Sequence, residues 1–277
     1  CYTLLMERTS PHDPLSSKSN KAIAFLASLS DAKVRRKEKA FIVEGVKMVE
    51  EALRDRLGVK EVIAAPSLTQ HHGKGVIKLA EKHGVPILWV SERLMDQVAE
   101  SKTPQPVMAV VEMREPSEED LLNDSAGLIV LCHHLQDPGN LGTIIRTAEA
   151  VGASGVAITP HTVDPWNARA VRGSMGSILR VPVVKVQSEH QFLRLCKERG
   201  YQTAALVLNG RETVFEMDLT APTVVMLGQE SSGLLAEELV DIDHRIRIPM
   251  ADTIDSLNVA TSAAIVLYEA LRQRMRR

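Results

Sequence analysis

Residues 136–156 read QDPGNLGTIIRTAEAVGASGV. The stretch begins as a turn and becomes a helix without a break. Asp137, Pro138 and Gly139 supply the turn, Asn140 has the chemistry of an N-cap, and Leu141, Ile144, Ile145 and Ala148 recur at helical spacing, which predicts a helix over 140–151. The apolar run GLIVLC (127–132) precedes it and GVAIT (155–159) follows it, so the unit reads strand, helix, strand.

The same alternation continues outward. Strands are predicted at RVPVVKV (180–186), YQTAALV (201–207), TVVMLG (223–228) and RIRIPM (245–250), with helices at 188–199, 234–240 and 258–274. This predicts an α/β block with a mostly parallel sheet covered on both faces, whose ligands sit beyond the carboxyl ends of the strands. Upstream, KAIAFLASL, FIV, EGVKMVEEALRDR, VKEVIAA, GVIKLAEKHG, PILWV, SERLMDQVAES and VMAVVEM alternate helix and strand in a smaller α/β/α sandwich. Between the blocks EMREPSEEDLLNDSAG carries six acids and one arginine and reads as a linker. The expected organisation is therefore a tail over 1–17, a first block over 18–112, a linker over 113–125 and a second block over 126–277.

Charge is balanced overall, 33 basic against 35 acidic residues, so no global charge announces a nucleic-acid partner. Locally, Lys18, Lys21, Lys33, Arg35, Arg36, Lys37 and Lys39 stand against Asp31 and Glu38, a net of +5. That run is either a solvated helix face or an RNA-facing patch. The three cysteines show no paired or metal-like spacing, which fits a reduced, cytoplasmic compartment. His71-His72 and His133-His134 are adjacent pairs, and neighbours on a helix or strand do not share a face, so no metal is expected. No apolar run approaches a membrane span, and no signal peptide is visible.

Several templates fail. GNLGTI is not G-x-G-x-x-G and lacks the acid about 20 residues on; GQESSG places Ser231 wrongly for a nucleophile elbow; there is no P-loop. N-L-G-x-x-x-R-T, then L-G-x-E-x-x-G, then I-P-M followed by S-L-N-V, in that order at strand ends, resembles the SpoU (TrmH-type) RNA ribose 2′-O-methyltransferases of the SPOUT superfamily. RAVRGSMGSILRVPV between the first two motifs is similar too, and SKSN, KVRRKEKAFIVEG and EEAL in the first block resemble the family's RNA-binding extension.

That resemblance implies a trefoil knot in the second block, an obligate homodimer, S-adenosyl-L-methionine as cofactor and structured RNA, ribosomal before transfer RNA, as partner. It implies catalytic roles for Asn140, Arg146, Glu230, Ser256 and Asn258. It implies cofactor contacts from Leu227, Gly228, Glu230, Ile248, Met250, Leu257 and Asn258, and RNA contacts from Lys18, Lys33, Arg35, Arg36, Lys37 and Arg146. Arg146 is the base of the reaction in the family view; its high pKa leaves open a gentler role as a phosphate clamp. Ala260 departs from the serine many members carry.

Each piece also has a plain structural reading. Gly228 and Gly233 are turn glycines, Glu230 is a first-turn acid before LLAEEL, and Ser256 caps the last helix. A non-catalytic RNA-binding protein explains the first block but not three polar motifs at strand ends. A nicotinamide oxidoreductase suits the α/β pattern but lacks its acid.

Overall fold

The computed structural model describes residues 9–70, 73–101, 103–124 and 127–275; the His71-His72 pair and the first residues of the expected tail lie outside them. The chain forms two compact units, one of residues 1–114 with 166–172, the other of residues 115–165 with 173–277.

In chain order the first unit carries α1 (Lys21–Ser28), α2 (Ala32–Glu38), β1 (Ala40–Glu44), α3 (Val46–Arg54), β2 (Val59–Ala64), α4 (Lys74–His83), β3 (Ile87–Trp89), α5 (Glu92–Val98) and β4 (Val107–Glu112). The strands lie in the order β1-β4-β2-β3, with β4 antiparallel to both neighbours and β2 parallel to β3. Each early helix starts on a polar cap. The side chain of Asn20 accepts from Ala22 N at 2.8 Å and that of Asp31 accepts from Lys33 N at 2.6 Å. Helix α2 stops at Lys39, whose φ of 47° is left-handed. Ile23, Leu26 and Leu29 pack with Ile63, Leu88, Met108 and Val110 in this unit's core.

The second unit begins with α6 (Glu118–Leu121) and β5 (Leu128–Cys132), followed by α7 (Pro138–Ala150) and β6 (Gly155–Ile158). Next in the chain come α8 (Ala168–Ser174), most of which groups with the first unit, and then β7 (Val183–Lys185), α9 (Glu189–Glu198), β8 (Gln202–Leu206) and β9 (Glu212–Thr213) of the second. The chain closes with β10 (Thr223–Leu227), β11 (His244–Arg247) and α10 (Val259–Arg274). Helix α6 lies in the stretch expected to be linker. Ser117 and Asp120 form a reciprocal capping box there, and Leu121 is buried in the second core. The helix expected over 234–240 is instead a 3-10 turn at Ala236–Leu239. Its apolar residues split, Leu235 and Val240 facing solvent while Leu239 is buried, so no continuous buried stripe sustains an α-helix.

The seven strands run β7-β6-β5-β10-β8-β11-β9, and every paired neighbour is parallel. All residues of β5 and β10 are buried, as a parallel sheet covered on both faces requires. Register then positions the site. Leu227 pairs with Cys132, Met226 with Ala205, and Arg245 with Ala205 on its other side. The loops after β5, β10 and β11 therefore leave the sheet along one carboxyl edge.

Candidate active site at the carboxyl edge of the second sheet

Helix α7 does not begin where its most cap-like side chain suggests. Its N-cap is Asp137, which accepts from Asn140 N at 2.9 Å, and Pro138 occupies the first turn, where a missing N–H costs nothing. Asn140 lies inside that turn, and its side chain is released from capping. Its Nδ2 donates to Glu230 Oε1 at 3.1 Å, and its Oδ1 accepts from Asn258 Nδ2 at 3.0 Å. Asn258, not Ser256, caps α10, its Oδ1 accepting from Ala260 N and Thr261 N at 2.9 and 3.2 Å. Ala260 is buried, and only its backbone N–H enters this arrangement.

Glu230 ties its own loop to the one after β5, and Asn140 carries the link on to Asn258. Oε1 and Oε2 of Glu230 accept from the backbone N–H groups of Asp137 and Gln136, each at 3.0 Å, in addition to the Asn140 amide. Glu230 is therefore an anchor across the sheet edge rather than a first-turn acid. Burial pushes its carboxyl up, but the hydrogen bonds from Asn140, Gln136 and Asp137 outweigh this and hold it below the usual carboxylate range. Tight backbone geometry delivers it. Gln229 and Gly233 exchange backbone hydrogen bonds at 3.1 and 2.9 Å, and Gly233 has a left-handed φ of 68°. A Cβ on Gly228 would stand 2.4 Å from the Gly233 carbonyl carbon, so that position admits only glycine without movement.

Other expected residues are placed differently. Arg146 is exposed on α7, six residues beyond Asn140, and has no hydrogen bond or ion pair among the described residues. Ser256 is exposed in the segment before α10 and does not join the Asn140–Glu230–Asn258 set. Leu227 is buried at the end of β10, while Ile248, Met250 and Leu257 are half-buried along the edge, an apolar lining beside polar anchors. Cys132 is buried beneath the edge, and burial, then the charge of Glu230, pushes its thiol far up, which excludes it as a nucleophile.

In the first unit, Lys18, Lys33, Arg36 and Lys37 are exposed, but Arg35 is 4% exposed. Its Nη1 donates to Leu29 O and Ser30 O, both at 2.7 Å. Arg35 thus ties the end of α1 to α2 and is corrected from an RNA contact to a structural clamp. The rule that adjacent histidines diverge also fails at His133-His134. Residue 134 lies beyond the strand with a left-handed φ of 53°, which folds its ring onto that of His133 at a centroid distance of 3.8 Å. Sequence reasoning missed Asp137 and Gln136; the Asp-Pro pair was a readable sign of the first, whereas the second acts only through the fold.

Known proteins similar to this chain are RNA methyltransferases. The model of the SpoU rRNA methylase family matches residues 127–268, and that of the MRM3-like substrate-binding domain matches residues 20–109. The chain is 31% identical over 254 residues to the 23S rRNA (guanosine(2553)-2′-O)-methyltransferase RlmP of Bacillus subtilis, covering 92% of this chain and 97% of that one. It is 36% identical over 200 residues, 68% of each chain, to a 23S rRNA (uridine(2479)-2′-O)-methyltransferase of Streptomyces viridochromogenes. Its structure is similar to that of an AdoMet-bound rRNA methyltransferase from Sinorhizobium meliloti, with a TM-score of 0.82, 32% identity and coverage of 94% and 97%.

Proposed function

The chain belongs to the SpoU rRNA methylase family, and from that premise we propose that it transfers a methyl group from S-adenosyl-L-methionine to a ribose 2′-hydroxyl of structured ribosomal RNA. The observation that carries this reading is the hydrogen-bonded set Asn140–Glu230–Asn258, which joins the loops after β5, β10 and β11 at one sheet edge.

The cofactor supplies an electrophilic methyl on a sulfonium. Leu227, Gly228, Ile248, Met250 and Leu257 suit it, because they set apolar side chains and a close-packed backbone beside polar anchors. Asn140 and Asn258 orient ribose and cofactor by amide dipoles that carry no net charge. Their own amides are already aligned by Glu230 and the start of α10, so little reorganisation accompanies the reaction. The guanidinium of Arg146, without a partner among the described residues, takes the RNA phosphate through its planar fork and steadies the developing alkoxide. DNA lacks the reacting hydroxyl, so RNA specificity follows from the chemistry.

In this reading residues 18–112 bind RNA, with Lys18, Lys33, Arg36 and Lys37 against phosphate, and residues 126–277 carry out the transfer. The late strands insert between earlier ones, β10 between β5 and β8 and β11 between β8 and β9, and α10 then packs on α7. That supports the trefoil knot. The protein acts as a homodimer in the cytoplasm; among the described residues no helix is long and apolar enough to cross a membrane.

Calorimetry tests the reading. The protein is expected to bind S-adenosylhomocysteine and to ignore NAD, with a solution mass of two chains. Binding of NAD alone, or of neither, would overturn it.

A further inference from the structure

Behind the catalytic edge lies a second cluster that methyl transfer does not use. His133 follows β5 directly and is 1% exposed, and neither ring nitrogen has an aligned hydrogen-bond partner. Its Nε2 stands 2.6 Å from Glu238 Oε1, but off the line that a hydrogen bond needs. Glu238 is itself 9% exposed, and its other oxygen is already taken by Leu235 N at 2.6 Å. Oε1 is thereby turned toward His133. The third member is His134, and one ligand atom from each of His133, His134 and Glu238 lies within 4.8 Å of the other two.

The backbone around His134 is fixed independently of its ring. Its N–H donates to Thr159 Oγ1 at 3.1 Å, and its carbonyl accepts from Gln136 Nε2 at 2.8 Å. The same Gln136 amide donates to His161 O at 2.9 Å. Two imidazoles and one carboxylate, held by backbone contacts and half withdrawn from water, are the donor set of an open zinc site.

We propose that His133, His134 and Glu238 bind a divalent transition-metal ion of the zinc class, with water in the fourth position. The ion takes the lone pair of His133, which finds no aligned partner among the described residues. Tetrahedral bonds of about 2.0–2.1 Å place ligand atoms about 3.3 Å apart, so on binding His133 and Glu238 separate by less than about 1 Å and the His134 ring turns out of its stack on His133. The ion's role is structural. It pins the end of β5 to the 3-10 turn at Ala236–Leu239, beneath the loop whose backbone Glu230 holds. The rival account is a protonated His133 paired with Glu238 and no ion.

The full-length protein is stripped with a chelator and titrated with Co²⁺, following the visible bands of four-coordinate cobalt. One equivalent is expected to bind, to be displaced by one equivalent of Zn²⁺, and to raise the melting temperature where Mg²⁺ does not. Glu238→Gln keeps the acceptor for Leu235 N, and His134→Asn suits the left-handed backbone. Each is expected to weaken binding at least ~100-fold, since loss of a mere outer-shell partner costs 10–100-fold. Absence of a stoichiometric cobalt spectrum in the wild-type protein, or binding that both variants retain, overturns the proposal. The readout does not depend on methyl transfer, so its failure leaves the enzymatic reading untouched, and the reverse holds.

Discussion

Arg35 on α2 and Arg146 on α7 are both helix arginines in stretches that point to RNA, but the fold treats them in opposite ways. The first is 4% exposed and donates to the carbonyls of Leu29 and Ser30. The second is exposed, with its guanidinium unpaired among the described residues. The difference teaches that charge in a sequence marks a candidate, while prior satisfaction of its donors decides whether it can serve a ligand. The contrast repeats within α7. Asp137 gives its side chain to the helix, and Asn140, three residues on, keeps its own for the site.

The sharpest way to break the comparison is Arg146→Lys. The two residues have nearly equal helix propensity, so the variant is expected to fold and bind cofactor normally. Methyl transfer should fall at least ~100-fold, because an ammonium lacks the fork, as read by tritiated methyl incorporation into RNA. Near-normal turnover would make Arg146 a surface residue.

Arg35→Ala should do the reverse, costing about 1–3 kcal/mol of stability through two stranded carbonyls, with no specific loss of RNA contact. Urea unfolding measures this, and an unchanged midpoint would refute the clamp. Glu230→Gln comes next. The folded carboxyl is held below its ordinary value, so the stabilisation it confers is present above about pH 4.3 and lost as pH falls through the folded value. Melting curves of wild type and Glu230→Gln are therefore expected to differ at pH 7 and converge in acid. A gap independent of pH would contradict the charge-based account.

Two smaller effects sharpen the contrast further. Asp137→Ala should cost about 1 kcal/mol as a lost cap with little effect on transfer, while Asn140→Ala should lower transfer as well as loosen the contacts to Glu230 and Asn258. Arg36→Ala, on the same helix as Arg35, is expected to leave stability within about 0.5 kcal/mol and to flatten the salt dependence of RNA affinity by about one unit.

Most of the fold was legible because periodicity reports burial directly. The continuous apolar runs of β5 and β10 and the stripe Leu141, Ile144, Ile145, Ala148 could only be central strands and a packed helix. The failures share a cause. Asn140 and Ser256 have cap-like side chains, yet Asp137 and Asn258 cap the helices, because the choice depends on which group the rest of the fold leaves free. The 3-10 turn at Ala236–Leu239 and the buried Glu238 depend on what packs beneath them, which no local pattern encodes. The His133–His134 stack depends on one left-handed residue after a strand. Arg35 could not be told from Arg36 by charge alone. Strand ends pointed to the three loops, but Asn140, Glu230 and Asn258 were singled out within them only through the resemblance of their motifs to the SpoU family.

The central claim is methyl transfer to a ribose oxygen, and the direct test is to incubate the protein and S-adenosyl-L-methionine with unmodified ribosomal RNA and map the product nucleotide by nucleotide. A methyl group on a 2′-oxygen, at a defined position and absent with Arg146→Lys, is the result this account predicts. A methylated base, or no transfer to RNA at all, would contradict it.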